Sequence, residues 1–347
     1  MRVTSILNFE RISQIMSDRY GIGDICSAKE LPGASTGHVW KVETKSGSHY
    51  ILKEFTPTFS LERVAHEPEL VMHLYGKGMP VTQFYTTVSD EYSWILEDRA
   101  VNLQEFLIGS STEQCTAPER LLKDSVQLLG GIQNELADYP RLPARFDNAW
   151  FAKRYDLPAR KEKVSSLIGI AEAMPANYWT DRIIDELRWR LSRLEKANAI
   201  HFEPESFTVG NTHGDYNVAN ILIEQEKVVG VIDFSNACSM PLVWELLRSY
   251  TLGSPECCNA KIDLGRLKEY FAWYMERVQL NEYDLRMAAK LTYFHIVHSQ
   301  FGYSEYLVEH AENWEALIGY ASCQVQLAKW LEENGEEMER VLLTLCR

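Results

Sequence analysis

The segment 213–234 constrains the fold more than any other part of the sequence. It reads HGDYNVANILIEQEKVVGVIDF, with short apolar runs at 221–223 and 228–232 on either side of a charged stretch. Two such runs joined by a few polar residues predict a β-hairpin. Because a hairpin returns the chain along itself, we expect Asn220 and Asp233 to lie close together.

The polar residues of this segment are the set that phosphoryl transfer requires. One carboxylate must orient the attacking hydroxyl group, and we assign this role to Asp215. An amide and a second carboxylate hold Mg²⁺ through oxygen atoms, and Asn220 and Asp233 supply them. Singly, each of these residues is more typical of a turn or a strand cap. Their order and spacing together favour a catalytic interpretation, with ATP and Mg²⁺ as the expected cofactors.

Composition restricts the class of protein. The 347 residues contain no apolar run of membrane-spanning length and seven scattered cysteines, so we expect a reduced cytoplasmic protein. A net charge of −14 disfavours a nucleic-acid or anionic-membrane surface. The same charge is compatible with a small cationic substrate, although acidity that serves only solubility explains it equally well.

The first part of the chain is rich in predicted strands. Alternating runs interrupted by glycine, proline and polar turns predict five of them, and a helical periodicity interrupts the series at 60–77. Pro68 conflicts with that helix unless it occupies the first turn of a helix that starts near Glu67. The strands are expected at 25–31, 39–44, 49–55, 81–88 and 92–97.

After residue 98 the predicted elements are helices, apart from the hairpin in the segment 213–234. The helices are expected at about 101–108, 117–137, 180–198, 241–250, 263–278, 284–300 and 305–331. The sequence therefore predicts an α+β protein with a small antiparallel five-stranded lobe at 1–98 and a larger helical lobe at 99–347.

The motif and this arrangement resemble the aminoglycoside phosphotransferase and choline kinase-like family of small-molecule kinases. The resemblance is sharpest at 213–245 and approximate elsewhere. It implies a two-lobed, protein-kinase-like fold, with a sheet that covers the nucleotide and a helical lobe that carries the catalytic loop and the acceptor site. It also implies that His213 supports the catalytic loop and takes no proton.

The resemblance extends to a lysine in the third predicted strand. Lys53 lies within the apolar run Tyr50–Phe55, where an ammonium group is costly unless it meets an anion. The resemblance implies that this lysine binds the nucleotide phosphates and that a glutamate of the next helix holds the lysine in place. Glu67 is the first choice for that glutamate, and Glu69 is the rival.

Two further nucleotide contacts are implied. The loop Gly33–Gly37 lies between two predicted strands, where Ser35 and Thr36 could add hydroxyl contacts to phosphates. The loop has only two glycines, so an ordinary turn is the alternative. In the family the last strand of the small lobe ends in backbone groups that receive the adenine. Here that assigns the Glu97 carbonyl and the Arg99 amide, with Leu96 lining the pocket.

The helical lobe offers an acceptor site and a structural acid. Glu245 follows Pro241 by four residues, and we interpret it first as an anchor of a helix start. A group of aromatic residues, with an acid among them, could hold an ammonium group, although such residues are more often core. These residues are Trp150, Phe151, Tyr155, Asp156 and Trp244.

The sequence thus predicts an ATP-dependent phosphotransferase that acts on a hydroxyl of a small molecule. An amino alcohol, an aminoglycoside and a homoserine-like compound are all open as acceptors, and so is the choice between ATP and GTP. The alternative is a non-catalytic binding or structural protein on the same fold. A protein kinase is disfavoured because no activation or peptide-docking segment is recognisable.

Overall fold

A computed structural model describes residues 4–31 and 37–346, which form two compact units. The first unit comprises the chain up to Ser111 together with Asn220–Ala237, and the second comprises Thr112–Ala219 together with the chain from Cys238 onward. The chain thus leaves the first unit after Ser111 and not after residue 98, and it returns there for the predicted hairpin.

The first unit is built on an antiparallel sheet. Its strands follow the order β1-β2-β3-β6-β4, and β5 also pairs with β6. The described residues therefore contribute six strands to this sheet, one more than expected. Their bounds are β1 Ile25–Leu31, β2 Gly37–Thr44, β3 His49–Phe55, β4 Phe84–Tyr85, β5 Ser93–Leu96 and β6 Arg99–Glu105.

Strand β6 replaces the helix that was expected at 101–108. Its side chains alternate between the two faces of the sheet, and both faces are covered, so apolar and polar positions from Arg99 to Gln104 are all buried. Val101 and Leu103 point to one face, and Asn102 and Gln104 point to the other. With both faces buried, the apolar residues do not reveal the two-residue period as clearly as in a half-exposed strand.

A helix covers each face of this sheet. Helix α1, Phe9–Asp18, contributes Ile12, Ile15 and Met16 to an apolar core that contains Leu52, Val101 and Leu103 of the sheet. Helix α2, Leu61–Gly76, contributes Val64 to a cluster with Phe55 and Ala100 on the other face. We call the side of the sheet that α1 covers the α1 face and the side that α2 covers the α2 face. Because side chains alternate along β3, Leu52 and Glu54 lie on the α1 face, and Ile51 and Lys53 lie on the α2 face.

Helix α2 contains Pro68 in its interior, not in its first turn as expected. A proline there removes one helical hydrogen bond and costs about 3 kcal/mol in an isolated helix. Tertiary packing offsets this cost, because Val64, Leu70, Val71 and Leu74 are buried against the sheet side of the unit. The helix therefore runs through the proline, and Glu67 lies in its middle.

The second unit is mostly helical, as predicted. Its helices are α3 Glu119–Glu135, α4 Asn148–Tyr155, α5 Leu157–Glu172, α6 Tyr178–Asn198, α7 Leu242–Gly253, α8 Leu264–Met275, α9 Glu282–His298, α10 Tyr303–Leu307 and α11 Trp314–Leu343. Two short strands, β7 Val209–Thr212 and β10 Cys238–Pro241, pair antiparallel. In the part of the chain described here, no helix is long and apolar enough to cross a membrane.

The predicted hairpin is formed by β8, Ile221–Glu224, and β9, Lys227–Val231. It belongs to the first unit, where the Val231 amide donates to the Pro80 carbonyl at 2.8 Å and Ser110 exchanges backbone hydrogen bonds with Ile223. These contacts fix the hairpin against the strand-rich part of the chain.

Candidate active site

Lys53 and Glu67 form a buried ion pair in the first unit. The lysine Nζ lies 3.2 and 3.4 Å from the two carboxylate oxygens of Glu67, and the side chains are 13% and 4% exposed. Glu69 is exposed. Residues 67 and 69 point away from each other on a helix, because two positions correspond to about half a turn. The structure thus brings Glu67, and not Glu69, to Lys53.

Glu67 also fixes the end of the hairpin. One of its carboxylate oxygens accepts the backbone amide of Phe234 at 3.1 Å. Asp233 precedes this amide with a φ of 64°, in the left-handed region that residues other than glycine rarely adopt. Its Oδ1 accepts the Ser235 hydroxyl at 2.7 Å. A residue held in this backbone conformation by surrounding contacts is often found at functional sites.

The hairpin brings Asn220 to the same place, as the sequence predicts. The Asn220 carbonyl accepts the Ile232 amide at 3.0 Å, so Asn220 lies beside the residue that precedes Asp233. An amide and a carboxylate are hard oxygen donors of the kind that Mg²⁺ prefers. The described residues include no group of three or more His, Cys, Asp or Glu side chains with metal-binding geometry. A metal here would therefore depend on further oxygen ligands from phosphates and water.

Electrostatics keep Lys53 charged. Burial alone lowers the pKa of its ammonium group, but the carboxylates of Glu67 and Asp233 outweigh burial and raise the pKa above its ordinary value. Lys53 and Asp233 are therefore close enough to interact, and the site presents a fixed positive charge beside a carboxylate.

Polar side chains that the sequence analysis missed share the α2 face with Lys53. Asn102 lies directly opposite Lys53 on β6, and Gln104 lies two residues further on. The amide atoms of Asn102 and the Oε1 of Gln104 are buried and meet no hydrogen-bond partner among residues 4–31 and 37–346. Buried polar atoms are nearly always paired, so their unfilled capacity suits a polar ligand on this face. In the sequence, the alternation of Asn102 and Gln104 with Val101 and Leu103 is the pattern that could have revealed a strand with polar residues on one face.

The three residues assigned to adenine do not join this set. Leu96 and Arg99 pair with each other across a two-residue β5–β6 turn, so the sheet does not end there. The Arg99 guanidinium lies on the α1 face and donates to the buried Glu54 carboxylate. Glu97 lies in the turn and accepts from Arg11. The segment that leaves the sheet is 106–111, after β6.

Ser35 and Thr36 lie outside the described residues. The described chain resumes at Gly37, where a Cβ atom would lie 2.0 Å from the Glu54 carbonyl oxygen. The backbones of β2 and β3 thus approach too closely for any side chain at this position, which explains the second glycine of the loop.

Asp215 lies in a turn of the second unit that its neighbours hold tightly. Its amide donates to Nδ1 of the buried His213 at 3.2 Å, and its carbonyl accepts the Asn217 side chain at 2.8 Å. Gly214 has a φ of 80°, which a side chain would disfavour. His213 therefore packs and accepts a hydrogen bond that shapes the loop, as expected for a supporting residue.

Glu245 anchors this loop from α7. One carboxylate oxygen accepts the Tyr216 amide at 3.0 Å, and the other accepts the Thr212 hydroxyl. Gln133 of α3 donates to the same hydroxyl at 2.8 Å. Because Glu245 is fully buried, it holds both ends of the turn that carries Asp215. Glu245 thus has structural contacts, and they support the loop that carries Asp215 and not only its own helix.

Sequence reasoning missed the contact between Arg248 and Asp215. The Nη2 of Arg248 lies 2.6 Å from the Oδ1 of Asp215, and the Arg248 side chain is 19% exposed. Burial alone lowers the pKa of Arg248, but Tyr320, Asp215 and Glu245 outweigh it and raise the pKa. A spacing of three residues places Arg248 on the same face of α7 as Glu245. This spacing is the sequence pattern that could have pointed to Arg248.

The predicted aromatic residues meet in the second unit. Phe151 packs on Tyr155 and Phe294, and Phe146 contacts both Trp150 and Trp244. Asp156 does not join them, because its side chain accepts the Ala159 amide as the cap of α5.

Comparison with known proteins identifies the family. The family described as Phosphotransferase enzyme family (APH) matches residues 27–280. Homoserine kinase of Zymomonas mobilis subsp. mobilis is 23% identical over 251 residues, which are 72% of each chain.

Solved structures with the same fold include a spectinomycin phosphotransferase in complex with ADP and spectinomycin. Its TM-score is 0.66 at 14% identity, over 95% of this chain and 100% of that one. A microcompartment-associated aminopropanol kinase gives a TM-score of 0.60 at 17% identity, over 96% and 99%. At these identities the likeness shows the protein-kinase-like fold.

Proposed function

Since the chain belongs to the phosphotransferase enzyme family and is a small-molecule kinase, we propose that it transfers the γ-phosphoryl group of ATP to a hydroxyl of its acceptor. The observation that carries the proposal is the continuous set of contacts from Lys53 through Glu67 to Phe234 and Asp233. It gives one unit a fixed cation and a carboxylate, the pair of charges that a nucleotide with a divalent metal needs.

The residues of the first unit fit the phosphoryl donor. Lys53 would bind phosphate oxygens, and Glu67 would keep its ammonium group in place. Asn220 and Asp233 would hold Mg²⁺, which when bound neutralises negative charge on the phosphates. The unfilled amide atoms of Asn102 and Gln104 lie on the same face and support a polar ligand there. We place the backbone contacts to adenine in the segment after Glu105, because β6 is the strand from which the chain leaves the sheet.

The residues of the second unit fit the acceptor. Asp215 would accept a hydrogen bond from the substrate hydroxyl, orient its oxygen for attack and take its proton as transfer proceeds. Arg248 contacts one carboxylate oxygen of Asp215, so it restricts the rotation of that carboxylate. Four residues of chain separate Asp215 from Asn220. Catalysis then consists mainly of positioning and charge stabilisation.

The relatives suggest the range of acceptors. The names of the matched proteins denote kinases of homoserine, spectinomycin and aminopropanol. We propose an acceptor of comparable size that carries a hydroxyl group. The alternative of a non-catalytic protein has no physical need for Lys53, Glu67, Asn220, Asp215 and Asp233 together.

Thermal unfolding with and without MgATP tests the donor half of the proposal. A ligand at 100 times its dissociation constant stabilises the folded protein by about 2.7 kcal/mol. We expect a clear rise in Tm with MgATP, a smaller rise with ATP and EDTA, and little rise for Asp233→Ala. Absence of any rise for the unaltered protein would favour the non-catalytic alternative.

A further inference from the structure

Arg154 of α4 is a half-buried arginine that has no acidic partner within residues 4–31 and 37–346. Its Nη1 donates to the Trp150 carbonyl at 3.3 Å, and the guanidinium lies over the indole of the same tryptophan, 3.4 Å from the ring centroid. The Nε is buried and meets no hydrogen-bond partner in the described ranges. Burial, followed by the charge of Arg160, lowers the pKa of Arg154 to about 10, so the group is still protonated at neutral pH.

A continuous arginine–aromatic surface connects Arg154 to the catalytic carboxylate. We define it by Trp150, Arg154, Trp244, Arg248 and His295. The Trp150 ring stacks on His295 with centroids 6.0 Å apart, and His295 meets the edge of Trp244 at 5.2 Å. The guanidinium carbon of Arg248 lies 5.8 Å from the Trp244 ring centroid, and the guanidinium forms an ion pair with Asp215. The chain of contacts therefore ends at the group that would orient the acceptor hydroxyl.

The positive charge of Arg154 is not balanced by a carboxylate among residues 4–31 and 37–346. The other arginine, Arg248, pairs with Asp215 and also interacts with the charge of Glu245. Burial, and then the charges of Arg154 and Arg248, lower the pKa of His295 to about 3, so the imidazole is neutral and supplies no further charge. Nη1 of Arg248 and Nδ1 of His295, like Nε of Arg154, are buried without a partner in the part of the chain that the structure describes.

An unpaired, half-buried guanidinium is costly unless an anion meets it. Arginine presents paired N–H groups that match a carboxylate, and aromatic neighbours suit an apolar ligand body. We propose that the arginine–aromatic surface binds a carboxylate of the acceptor beside Arg154, so that the substrate is a hydroxy acid. This assignment rests on the proposed function, since it takes Asp215 as the group that faces the hydroxyl.

The same geometry disfavours a cationic acceptor, the possibility that the overall acidity of the chain left open. An ammonium group would bind over an aromatic face. The Trp150 face is already covered by the Arg154 guanidinium, and a second cation there would meet repulsion.

Binding measurements without nucleotide test the inference. The probes are sets of three compounds: a hydroxy acid, its amide and the corresponding amine. Some sets have an aliphatic skeleton, as in 4-hydroxybutyrate and L-homoserine, and others have an aromatic skeleton. Tryptophan fluorescence and calorimetry report binding. We expect a hydroxy acid to bind more tightly than its amide and amine. We expect Arg154→Met to lower the affinity for that acid about 10- to 100-fold. Lys153→Met, an exposed change on the same helix, is the matched control and should leave the affinity unchanged.

Further variants separate recognition from folding. Arg154→Lys keeps the charge but loses the paired donors, so we expect intermediate affinity. The urea midpoint of Arg154→Met should equal or exceed that of the unaltered protein, because an unpaired cation is removed. Tighter binding of amines than acids, no binding of any acid, or equal acid affinity in Arg154→Met would overturn the inference. MgATP binding is measured separately, and its loss would instead contradict the proposed donor chemistry.

Discussion

Replacement of Glu67 with alanine should destabilise the protein strongly, whereas the same change at Glu69 should have little effect. Glu67 is 4% exposed and pairs with a lysine that is 13% exposed, and it also accepts the Phe234 amide. Loss of one partner from a buried ion pair costs about 3–5 kcal/mol. Because Asp233 still faces Lys53, we expect a value near 3 kcal/mol for the charge alone.

The Phe234 amide allows the two roles of Glu67 to be separated. A buried amide without an acceptor costs about 1–3 kcal/mol. Glu67→Ala loses the charge and the acceptor, whereas Glu67→Gln loses the charge but keeps an acceptor oxygen. We therefore expect Glu67→Gln to be more stable than Glu67→Ala by about 1–3 kcal/mol, and Glu69→Ala to lie within about 0.5 kcal/mol of the unaltered protein.

Urea unfolding monitored by circular dichroism at pH 7 measures all three variants, and calorimetric titration with MgATP measures the nucleotide site. We expect both Glu67 variants to lose MgATP affinity and Glu69→Ala to retain it. A stability change of less than about 0.5 kcal/mol for Glu67→Ala, or equal effects at positions 67 and 69, would contradict these roles of Glu67.

Three other predictions concern the remaining contacts. Arg99→Ala should cost about 3–5 kcal/mol of stability, measured by urea unfolding, yet change the MgATP dissociation constant by less than about twofold, because the buried pair with Glu54 lies on the α1 face. Glu245→Gln should lower kcat about 10- to 100-fold in steady-state assays with little change in MgATP affinity, since the Asp215 turn loses its charged anchor. Burial lowers the pKa of His298 to about 4, so the unfolded chain takes up a proton there below pH 6.5 and the folded chain does not. Stability should therefore fall as the pH decreases from 6.5 to 4, and His298→Gln should reduce the slope of urea midpoints against pH.

Local patterns predicted the elements that turn residues bound clearly in the sequence. The hairpin at β8 and β9 and the strands β1 to β3 have clear periodicity and turn residues, and they lie close to where the sequence places them. Strand β6 was mistaken for a helix because both of its faces are buried. Helices α4 and α5 were missed because their apolar residues are not gathered on one clear face.

The candidate site could be predicted where the chemistry is concentrated in one segment. Asp215, Asn220 and Asp233 lie within 213–234, and Lys53 is conspicuous as a charge in an apolar strand. The Arg248 contact with Asp215 joins residues far apart in the sequence, so the spacing between Glu245 and Arg248 on α7 gives only an indirect signal for it. The adenine contacts assigned to Leu96, Glu97 and Arg99 stay a prediction, but a two-residue turn resembles the end of a lobe until the pairing of β5 with β6 is known.

Phosphoryl transfer by the Asp215→Asn variant tests the central claim most directly. Asparagine keeps the size of the side chain but cannot accept a proton as a carboxylate does. With MgATP and a panel of hydroxyl acceptors, the account predicts that phosphorylated product forms with the unaltered protein and falls by orders of magnitude with the variant, while MgATP still raises the Tm of both. Unchanged turnover in Asp215→Asn would contradict the account.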